Sequence, residues 1–284
     1  MTEWEAPAKL NLALLVGPQD GSGLHPLRSL VQTIEWIDQL DVEEGDEDHL
    51  EVVGADLPDG GDNLVWKAIT ALRTETGMKR PSFEIRLVKR VAVAAGLGGG
   101  SSDAAAALFA AARISRISPV VAEAVAPLVG ADVPFFMMGG TAWMEGYGEK
   151  LSPVRIRPTY SVVVVVPPFE LVTAEVYGAW DRLEQATGVE VSTRRLPPDL
   201  RDLGPIRNDL TPAATTIAPE LSDWMADLSD TFDRPVLMTG SGPALFAFFA
   251  DEDEADSAVD SAPATARAAV AARPRLRGVA PVGH

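Results

Sequence analysis

The sequence predicts an α+β protein built as two lobes. Segments with the alternating apolar pattern of a strand and segments rich in helix formers follow one another without the strict alternation of a parallel βαβ fold. The chain has 284 residues, of which 46% are hydrophobic and 23% charged, a globular composition that supports a large core. We expect the lobes to meet near residues 152–159, with residues 1–155 forming the first lobe and 156–284 the second.

The predicted elements of the first lobe come from apolar alternation and from capping signals. The pair Asp62-Asn63 marks the opening of a helix, the alanine-rich run 104–112 favours a helix, and Ser118-Pro119 is typical of a cap followed by proline at the first helical position. In chain order we predict strands at 10–16 and 29–42, a helix over 63–71, a strand at 83–88, helices over 104–112 and 119–130, and a strand at 140–144.

The second lobe is predicted around one strong strand signal. Five consecutive valines, residues 162–166, closed by two prolines, are typical of a strand buried on both faces. Helices are expected over 173–187 and 221–228, with a surface loop over 194–205 between them. A second glycine turn, residues 239–243, leads into a strand at 244–250. It lacks the G-x-S-x-G pattern of a serine hydrolase, so it is either a packing turn or a turn that faces a ligand.

Composition excludes several classes of function. Cysteine is absent, which excludes disulfides and thiolate metal sites, and the three histidines, at positions 25, 49 and 284, are too scattered to predict a zinc cluster. A formal net charge of -17 argues against a nucleic-acid partner. With neither a signal peptide nor a membrane span in evidence, we expect a cytoplasmic protein with no membrane partner. The oligomeric state is left open.

The glycine-rich segment 93–103 joins the strand at 83–88 to the helix that follows it. Glycine permits positive φ and lets backbone amides converge on one anion, and the first turn of a helix adds its own free N–H groups. Ser101 or Ser102 is the predicted helix cap. The segment is neither a Walker A loop, which needs lysine where Ser101 stands, nor a dinucleotide fingerprint. We interpret it as a phosphate cradle; the alternative is a glycine turn without a ligand.

Two charged residues stand in apolar surroundings. Lys9 lies at the start of the first predicted strand, and Asp132 lies between a helix end and the run Val133 to Phe136. Taken alone, Lys9 could simply extend its ammonium group to water, and Asp132 could be a turn or cap residue. A carboxylate among apolar residues needs a partner, however, and Lys9 is a fitting one. A lysine can also neutralise charge on a phosphate during its transfer.

Taken together, these segments resemble the GHMP small-molecule kinases, whose glycine loop is of this non-Walker kind. The resemblance covers most of the chain in the family's order. The matching segments are PAKLNL (7–12), GLH (23–25), DNLV (62–65), AAGLGGGSSD (94–103), GADVPF (130–135), EGYGE (145–149), NDL (208–210) and TGSG (239–242). The chain is most similar to the branch that phosphorylates a hydroxyl of a cytidine diphosphate sugar alcohol in non-mevalonate isoprenoid precursor biosynthesis.

The resemblance implies a ribosomal-protein-S5-like first lobe, a ferredoxin-like second lobe, and a cleft between them that uses ATP and Mg²⁺. It implies that Asp132 is the catalytic base and Lys9 its partner. The implied nucleotide-binding residues are Asn63, Ala94, Ala95, Gly96, Leu97, Gly98, Gly99, Gly100, Ser101 and Ser102. Ser101 or Ser102 is the implied metal ligand, and Asn11, His25 and Tyr177 are the implied substrate contacts.

The chain departs from the family at two positions. Leu24 stands where the family usually has a tyrosine that flanks cytosine, and Ala92 stands where it usually has proline. The loss of a stacking ring at position 24 could weaken binding of the base or indicate another substrate. Two alternatives therefore accompany the favoured function: a kinase for another small alcohol, and a nucleotide-binding regulator without turnover.

Overall fold

The computed structural model describes residues 2–21, 23–184 and 186–283. The strands are β1 (Thr2–Val16), β2 (Leu27–Gly45), β3 (His49–Val53), β4 (Ser82–Val88), β5 (Thr141–Gly146), β6 (Lys150–Pro153), β7 (Ser161–Val166), β8 (Leu237–Met238), β9 (Leu245–Phe249), β10 (Ala268–Ala272) and β11 (Ala280–Pro281). The helices are α1 (Leu64–Thr76), α2 (Gly99–Ile114), α3 (Pro119–Val129), α4 (Val133–Met138), α5 (Thr173–Arg182), α6 (Thr211–Ile217), α7 (Glu220–Phe232) and α8 (Glu252–Val259). None of the helices within these ranges is long and apolar enough to cross a membrane.

The first sheet is built on the long antiparallel pair β1 and β2. Its strand order is β11-β1-β2-β4-β3, with β5 also paired to β2 and β6 paired to β5. The register of β1 on β2 shifts between Pro7 and Ala8 and again between Asn11 and Ala13. Such irregularities redirect side chains, and here they bracket Lys9 and Asn11.

Helices α1 to α4 pack over the first sheet and enclose one hydrophobic core. Helix α2 contacts β1, β2 and the other three helices. Alanine supplies seven of its sixteen residues, and those from 104 to 107 are completely buried. Small side chains let the helix axis approach the sheet closely, which brings the glycine turn at its start against β1.

The second sheet is antiparallel with the order β10-β7-β9-β8. All six residues of β7 are buried, which confirms the prediction of a strand covered on both faces. Val162 and Val164 belong to a core shared with Leu10 of the first sheet, while Val163 and Val165 face a third core under α5 to α7. Apolar packing therefore joins the two sheets as well as covering each of them.

The chain ends by returning to the first sheet. Strand β11 pairs with β1, and the Val279 N–H donates to the Phe136 carbonyl at the end of α4 (2.9 Å). This late pairing was not predicted. The division at residue 155 stays a prediction, although β6 ends at Pro153 in the first sheet and β7 begins the second at Ser161.

The start of α2 differs from the prediction. Its cap is Gly98 in the left-handed conformation, with φ 72°, and no side chain caps this end. Ser101 and Ser102 are the third and fourth residues of the helix, so the prediction of a serine cap was wrong. The reason is the preceding glycine, which takes up the positive φ at which the helix can begin. The helix predicted over 173–187 is also shorter, because α5 ends at Arg182.

Candidate active site

A cleft of about 400 Å³ lies between the lobes. Seven of the predicted site residues line it: Lys9, Asn11, Gly96, Gly98, Ser101, Asp132 and Tyr177. The remaining lining residues are Leu14, Leu27, Ala131, Met144, Tyr147, Thr173, Gly240 and Ser241. Segments distant in sequence therefore meet at one cavity, as the grouping of the three motifs predicts.

The glycine turn is held from both lobes. The Lys9 N–H donates to the Leu97 carbonyl (2.9 Å), and the Ala244 N–H donates to the Ala95 carbonyl (3.3 Å). Gly96 has φ 78°, and a Cβ there would lie 2.7 Å from the Thr239 carbonyl oxygen. The second glycine turn therefore packs directly on the first, so its backbone has a structural role as well as lining the cleft.

Gly98 is required for a different reason. A Cβ at this position would lie 2.7 Å from the Phe136 ring and 3.1 Å from Lys9 Cγ. A side chain at this position would therefore point into the protein, against the helix that follows Asp132.

Helix α2 directs its positive end at the cleft. The first N–H groups of a helix have no intrahelical acceptor, and no side chain caps this helix. Gly98 and Ser101, from its cap and first turn, line the cavity. Free amides and the helix dipole together make this end suited to an anion.

Lys9 and Asp132 meet across the cleft. The Lys9 Nζ lies 3.8 Å from the Asp132 Oδ2 and donates a hydrogen bond to the Asn11 Oδ1. Asn11 is held in turn, because its Nδ2 donates to the Ser29 Oγ (2.7 Å) and its N–H donates to the Thr239 Oγ1 (2.8 Å). Lys9 is 6% exposed, whereas the Asp132 side chain is 31% exposed. The arrangement orients a buried cation beside a carboxylate that faces the cavity.

Asp132 occupies the cap position of the short helix α4. Its carboxylate makes no capping hydrogen bond, so its oxygens remain turned to the cleft. Val133, Phe135 and Phe136 behind it are completely buried and anchor the helix in the first core. The apolar run seen in the sequence thus positions Asp132. A helix was not predicted there, because six residues are too few to show a helical period.

Tyr177 lines the opposite wall, from α5. Burial raises the pKa of its hydroxyl to about 12, and the Asp132 carboxylate adds to this effect. His25 packs beside this ring, with centroids 5.2 Å apart, and its side chain is 8% exposed. Its Nε2 lies 3.4 Å from the Asp181 Oδ2. His25 therefore sits beside Tyr177 rather than among the lining residues.

Asn63 has a local role in this structure. Its Oδ1 accepts from the Val65 N–H (2.9 Å), and its Nδ2 donates to the Pro58 carbonyl (2.7 Å). It therefore caps α1, near whose predicted start it lies, and is outside the cleft lining. The neighbouring Leu64 lies close to Gly100, since a Cβ on that glycine would be 3.2 Å from the Leu64 Cδ1. The start of α1 thus adjoins the glycine turn.

Three lining residues were given no individual role in the sequence analysis, although Tyr147 and Ser241 lie in matching segments. Thr173 and Ser241 pair their hydroxyls at 2.8 Å across the second lobe's side of the cleft. Tyr147 reaches the cleft from the turn between β5 and β6, and its hydroxyl donates to the Asp20 carboxylate. Isolated hydroxyls have no diagnostic spacing, so only the fold brings them to the site.

Comparisons with known proteins agree with this geometry. The family model described as the GHMP kinases N terminal domain matches residues 63–140, and the GHMP kinases C terminal model matches residues 193–268. A 4-diphosphocytidyl-2-C-methyl-D-erythritol kinase of Anaeromyxobacter sp. (strain Fw109-5) is 39% identical over 86% of this chain and 81% of its own length. The enzyme of that name from Pelotomaculum thermopropionicum is 38% identical over 88% of this chain and 90% of its own length.

Solved structures give the same result. A crystal structure of 4-(cytidine 5'-diphospho)-2C-methyl-D-erythritol kinase superposes with a TM-score of 0.76 at 32% identity, covering 95% of this chain and 98% of that one. A homoserine kinase from Cytophaga hutchinsonii shares the fold, with a TM-score of 0.69 at 14% identity over 99% of this chain and 97% of its own. The two-lobed α+β fold expected from the resemblance is therefore confirmed, and the chain belongs to the GHMP kinase family, among the relatives named 4-diphosphocytidyl-2-C-methyl-D-erythritol kinase.

Proposed function

We propose that this protein transfers the γ-phosphoryl group of ATP to a hydroxyl of 4-diphosphocytidyl-2-C-methyl-D-erythritol, a step of non-mevalonate isoprenoid precursor biosynthesis. The names of the relatives supply the substrate. The observation that carries the proposal is the distance of 3.8 Å between Lys9 and Asp132, in a cleft that the uncapped start of α2 also lines. That arrangement combines an anion site, a cation and a proton acceptor.

The nucleotide is assigned to the glycine turn. Backbone amides of residues 94–102 and the positive end of α2 suit the triphosphate. Ala95 and Leu97 are each 1% exposed, so these two residues anchor the turn in the core. Asn63 caps the helix that adjoins Gly100, which is compatible with adenine lying near α1.

The residues at this turn fit a magnesium ion. The Ser101 hydroxyl and the Asp132 carboxylate both line the cleft, and oxygen is the donor that Mg²⁺ prefers. One or two protein oxygens are sufficient, because phosphate and water complete the coordination shell. The Ser102 hydroxyl is completely buried and has no hydrogen-bond partner among the described residues, so Ser101 is the better placed of the two. When bound, the ion would neutralise phosphate charge.

The reaction follows from the positions of the two charged residues. The substrate hydroxyl oxygen forms a bond to the γ-phosphorus as the bond from that phosphorus to the β,γ-bridging oxygen breaks. The hydroxyl proton passes to an Asp132 oxygen, and the products are ADP and a phosphate monoester. The Lys9 ammonium offsets negative charge on the transferred group. Positioning and charge neutralisation supply most of the acceleration in such reactions, so no covalent intermediate is needed.

The cytosine ring of the substrate is assigned to the wall formed by Tyr177, with His25 beside that wall and Asn11 on the opposite lobe. One observation favours a second candidate, a kinase for another small alcohol. Leu24 is 53% exposed and provides no aromatic face where the family usually has one. A single stacked ring is worth about 1–3 kcal/mol per base, enough to change substrate preference.

A coupled assay of ADP release tests the proposal. Purified protein is incubated with ATP, Mg²⁺ and either 4-diphosphocytidyl-2-C-methyl-D-erythritol or one of a panel of alcohols that includes homoserine and mevalonate. We expect turnover with the cytidine diphosphate substrate and a much lower kcat/KM with the others. Preference for another alcohol would support the second candidate. Binding of ATP without turnover on any alcohol would instead identify a regulator.

A further inference from the structure

A buried cluster of charges lies directly behind the glycine turn. The Lys89 Nζ donates to the Asp103 Oδ2 (2.6 Å) and to the Asp38 Oδ2. The side chains of all three residues are 3% exposed or less. None of them lines the cleft, and the proposed reaction does not use them.

The cluster joins three elements of the first lobe. Asp38 lies on β2, Lys89 follows the last residue of β4, and Asp103 is the fifth residue of α2. The other oxygen of Asp38 accepts the backbone N–H groups of Arg90 (2.5 Å) and Val91 (2.8 Å). The segment that leads from β4 into the glycine turn is therefore attached to the sheet by main-chain as well as side-chain hydrogen bonds.

The lysine also touches the start of α2. A Cβ on Gly99, the first residue of the helix, would lie 3.2 Å from the Lys89 Nζ and 3.4 Å from the Asp38 Oδ2. A side chain at position 99 would therefore press on the charged groups of the cluster. The Lys89 ammonium is thus packed against the backbone of the first turn. It also donates a hydrogen bond to Asp103, which lies one turn later in the same helix.

The arrangement carries an energetic penalty. Buried ions lose hydration, and well-packed apolar residues often stabilise a fold as well or better. Asp103 Oδ1 has no hydrogen-bond partner among the described residues. Burial raises the pKa of this carboxyl to about 7, against the opposing effect of Lys89. Core stability alone does not account for placing these groups here.

Building on the proposed nucleotide site, we propose that Asp38, Lys89 and Asp103 are positioning residues that hold the first turn of α2 in the geometry required to bind the phosphates of ATP. Binding sites tolerate errors of only about 0.5 Å in their donors. Directional hydrogen bonds from a central ammonium to two different elements fix both the rotation and the depth of the helix start, which apolar contacts do not.

Equilibrium binding of ADP, followed by calorimetry, tests the proposal. Asp103→Leu keeps similar volume but removes the acceptor, and it leaves Lys89 paired with Asp38. We expect its Kd for ADP to rise at least tenfold and its KM for ATP to rise with it, while the KM for the alcohol substrate stays within twofold. Asp103→Asn, which retains an acceptor oxygen for Lys89, should stay within about threefold of the unaltered protein.

A matched control separates positioning from stability. Arg275 is buried and paired at 2.5 Å with Glu5, whose side chain is 28% exposed, away from the turn; Arg275→Met therefore removes a buried cation from an ion pair. It should lower Tm while leaving the Kd for ADP unchanged. If Asp103→Leu does not fold, Lys89→Gln, which keeps a donor of similar reach, is measured in the same way.

The outcomes distinguish this proposal from the proposed function. Normal ADP affinity in a folded Asp103→Leu or Lys89→Gln variant would overturn the positioning role and leave the kinase assignment standing. Equal loss of affinity in Arg275→Met would also overturn it. Failure of the unaltered protein to bind ADP would instead count against the proposed function itself.

Discussion

At the scale of single residues, the cleft depends on side chains whose partners are already defined. Asn11 holds Lys9, and β1 supplies both, so the cation is oriented before any ligand binds. Asp132 is left without a capping hydrogen bond, which keeps its oxygens available for a proton. The same region demands glycine at position 98, because the Phe136 ring occupies the space of a side chain.

Asp132→Asn removes the proposed proton acceptor with little change in shape. We expect kcat to fall by about 10²–10⁴-fold, the usual contribution of a general base, with the Kd for ADP within about threefold of its original value. The exposed Asp223 on α7 provides the control, since Asp223→Asn should leave kcat unchanged. Turnover close to normal in the Asp132 variant would remove this residue from the catalytic role.

Gly98→Ala should act through packing. The new Cβ would contact the Phe136 ring at 2.7 Å, in a backbone conformation with φ 72° that disfavours side chains. We expect a loss of roughly 2–4 kcal/mol in the free energy of unfolding, measured by urea titration. Gly60→Ala, whose Cβ has nothing within 4 Å, is the control. A Gly98 variant with unchanged stability would show that the helix after Asp132 can move aside.

At the scale of elements, short and irregular pieces are fixed by their neighbours. Helix α4 has only six residues, too few to be stable alone, and the first core and the returning C-terminal segment hold it. Helix α1 is held at both ends, by the Asn63 cap and by Arg73 in its last turn, which pairs with Asp48 at 2.5 Å. These attachments set the walls on either side of the glycine turn.

Asp48→Asn tests how the ion pair between Arg73 and Asp48 holds α1, through the pH dependence of the free energy of unfolding. The Arg73 guanidinium holds the pKa of Asp48 below its ordinary value, so the ion pair stabilises the fold above about pH 4 and its contribution is lost as pH falls. The Asp48 side chain is 39% exposed, and solvent screening limits the effect to about 0.5–1 kcal/mol. Urea titrations should show this deficit in full at pH 7 and a clearly smaller one near pH 3, as pH falls toward the lowered pKa of Asp48. A deficit of the same size at both pH values would contradict an ionic origin.

At the scale of the whole molecule, the last residues of the chain support the proposed catalytic aspartate. Gly278 packs on the Phe136 carbonyl and on Gly139, at the end of the helix that Asp132 begins. Strand β11 then adds to β1, the strand that carries Lys9. The distance between Lys9 and Asp132 is therefore set by contacts that close only when both ends of the chain are in place.

Gly278→Ala places a side chain against the Phe136 carbonyl and should displace α4. We expect kcat to fall at least tenfold, with a smaller change in the Kd for ADP, because the glycine turn does not rest on this segment. Gly61→Ala, with open space around its Cβ, is the control for both measurements. An unchanged kcat in a folded Gly278 variant would show that the C-terminal segment does not position Asp132.

Much of this organisation could be predicted from local patterns. The five valines of β7 were identified as a strand buried on both faces, because a strand between two cores needs apolar side chains on both faces. The start of α1 was placed near Asp62-Asn63, and the motif around Asp132 was identified as a candidate site, since their residue types have specific chemical uses. The serine cap of α2 was wrong, because sequence pattern does not reveal which glycine takes positive φ.

The amino-acid order alone was enough for the fold class, for the glycine turn that joins strand to helix, and for naming Lys9 and Asp132 as candidate partners, because these rest on periodicity and on residue chemistry within short segments. The tertiary structure was needed for the packing of one glycine turn on the other, the placement of His25 beside Tyr177, the buried cluster around Lys89 and the return of β11. Each of these is a contact between residues far apart in the chain, and such contacts depend on how whole elements pack rather than on any local pattern.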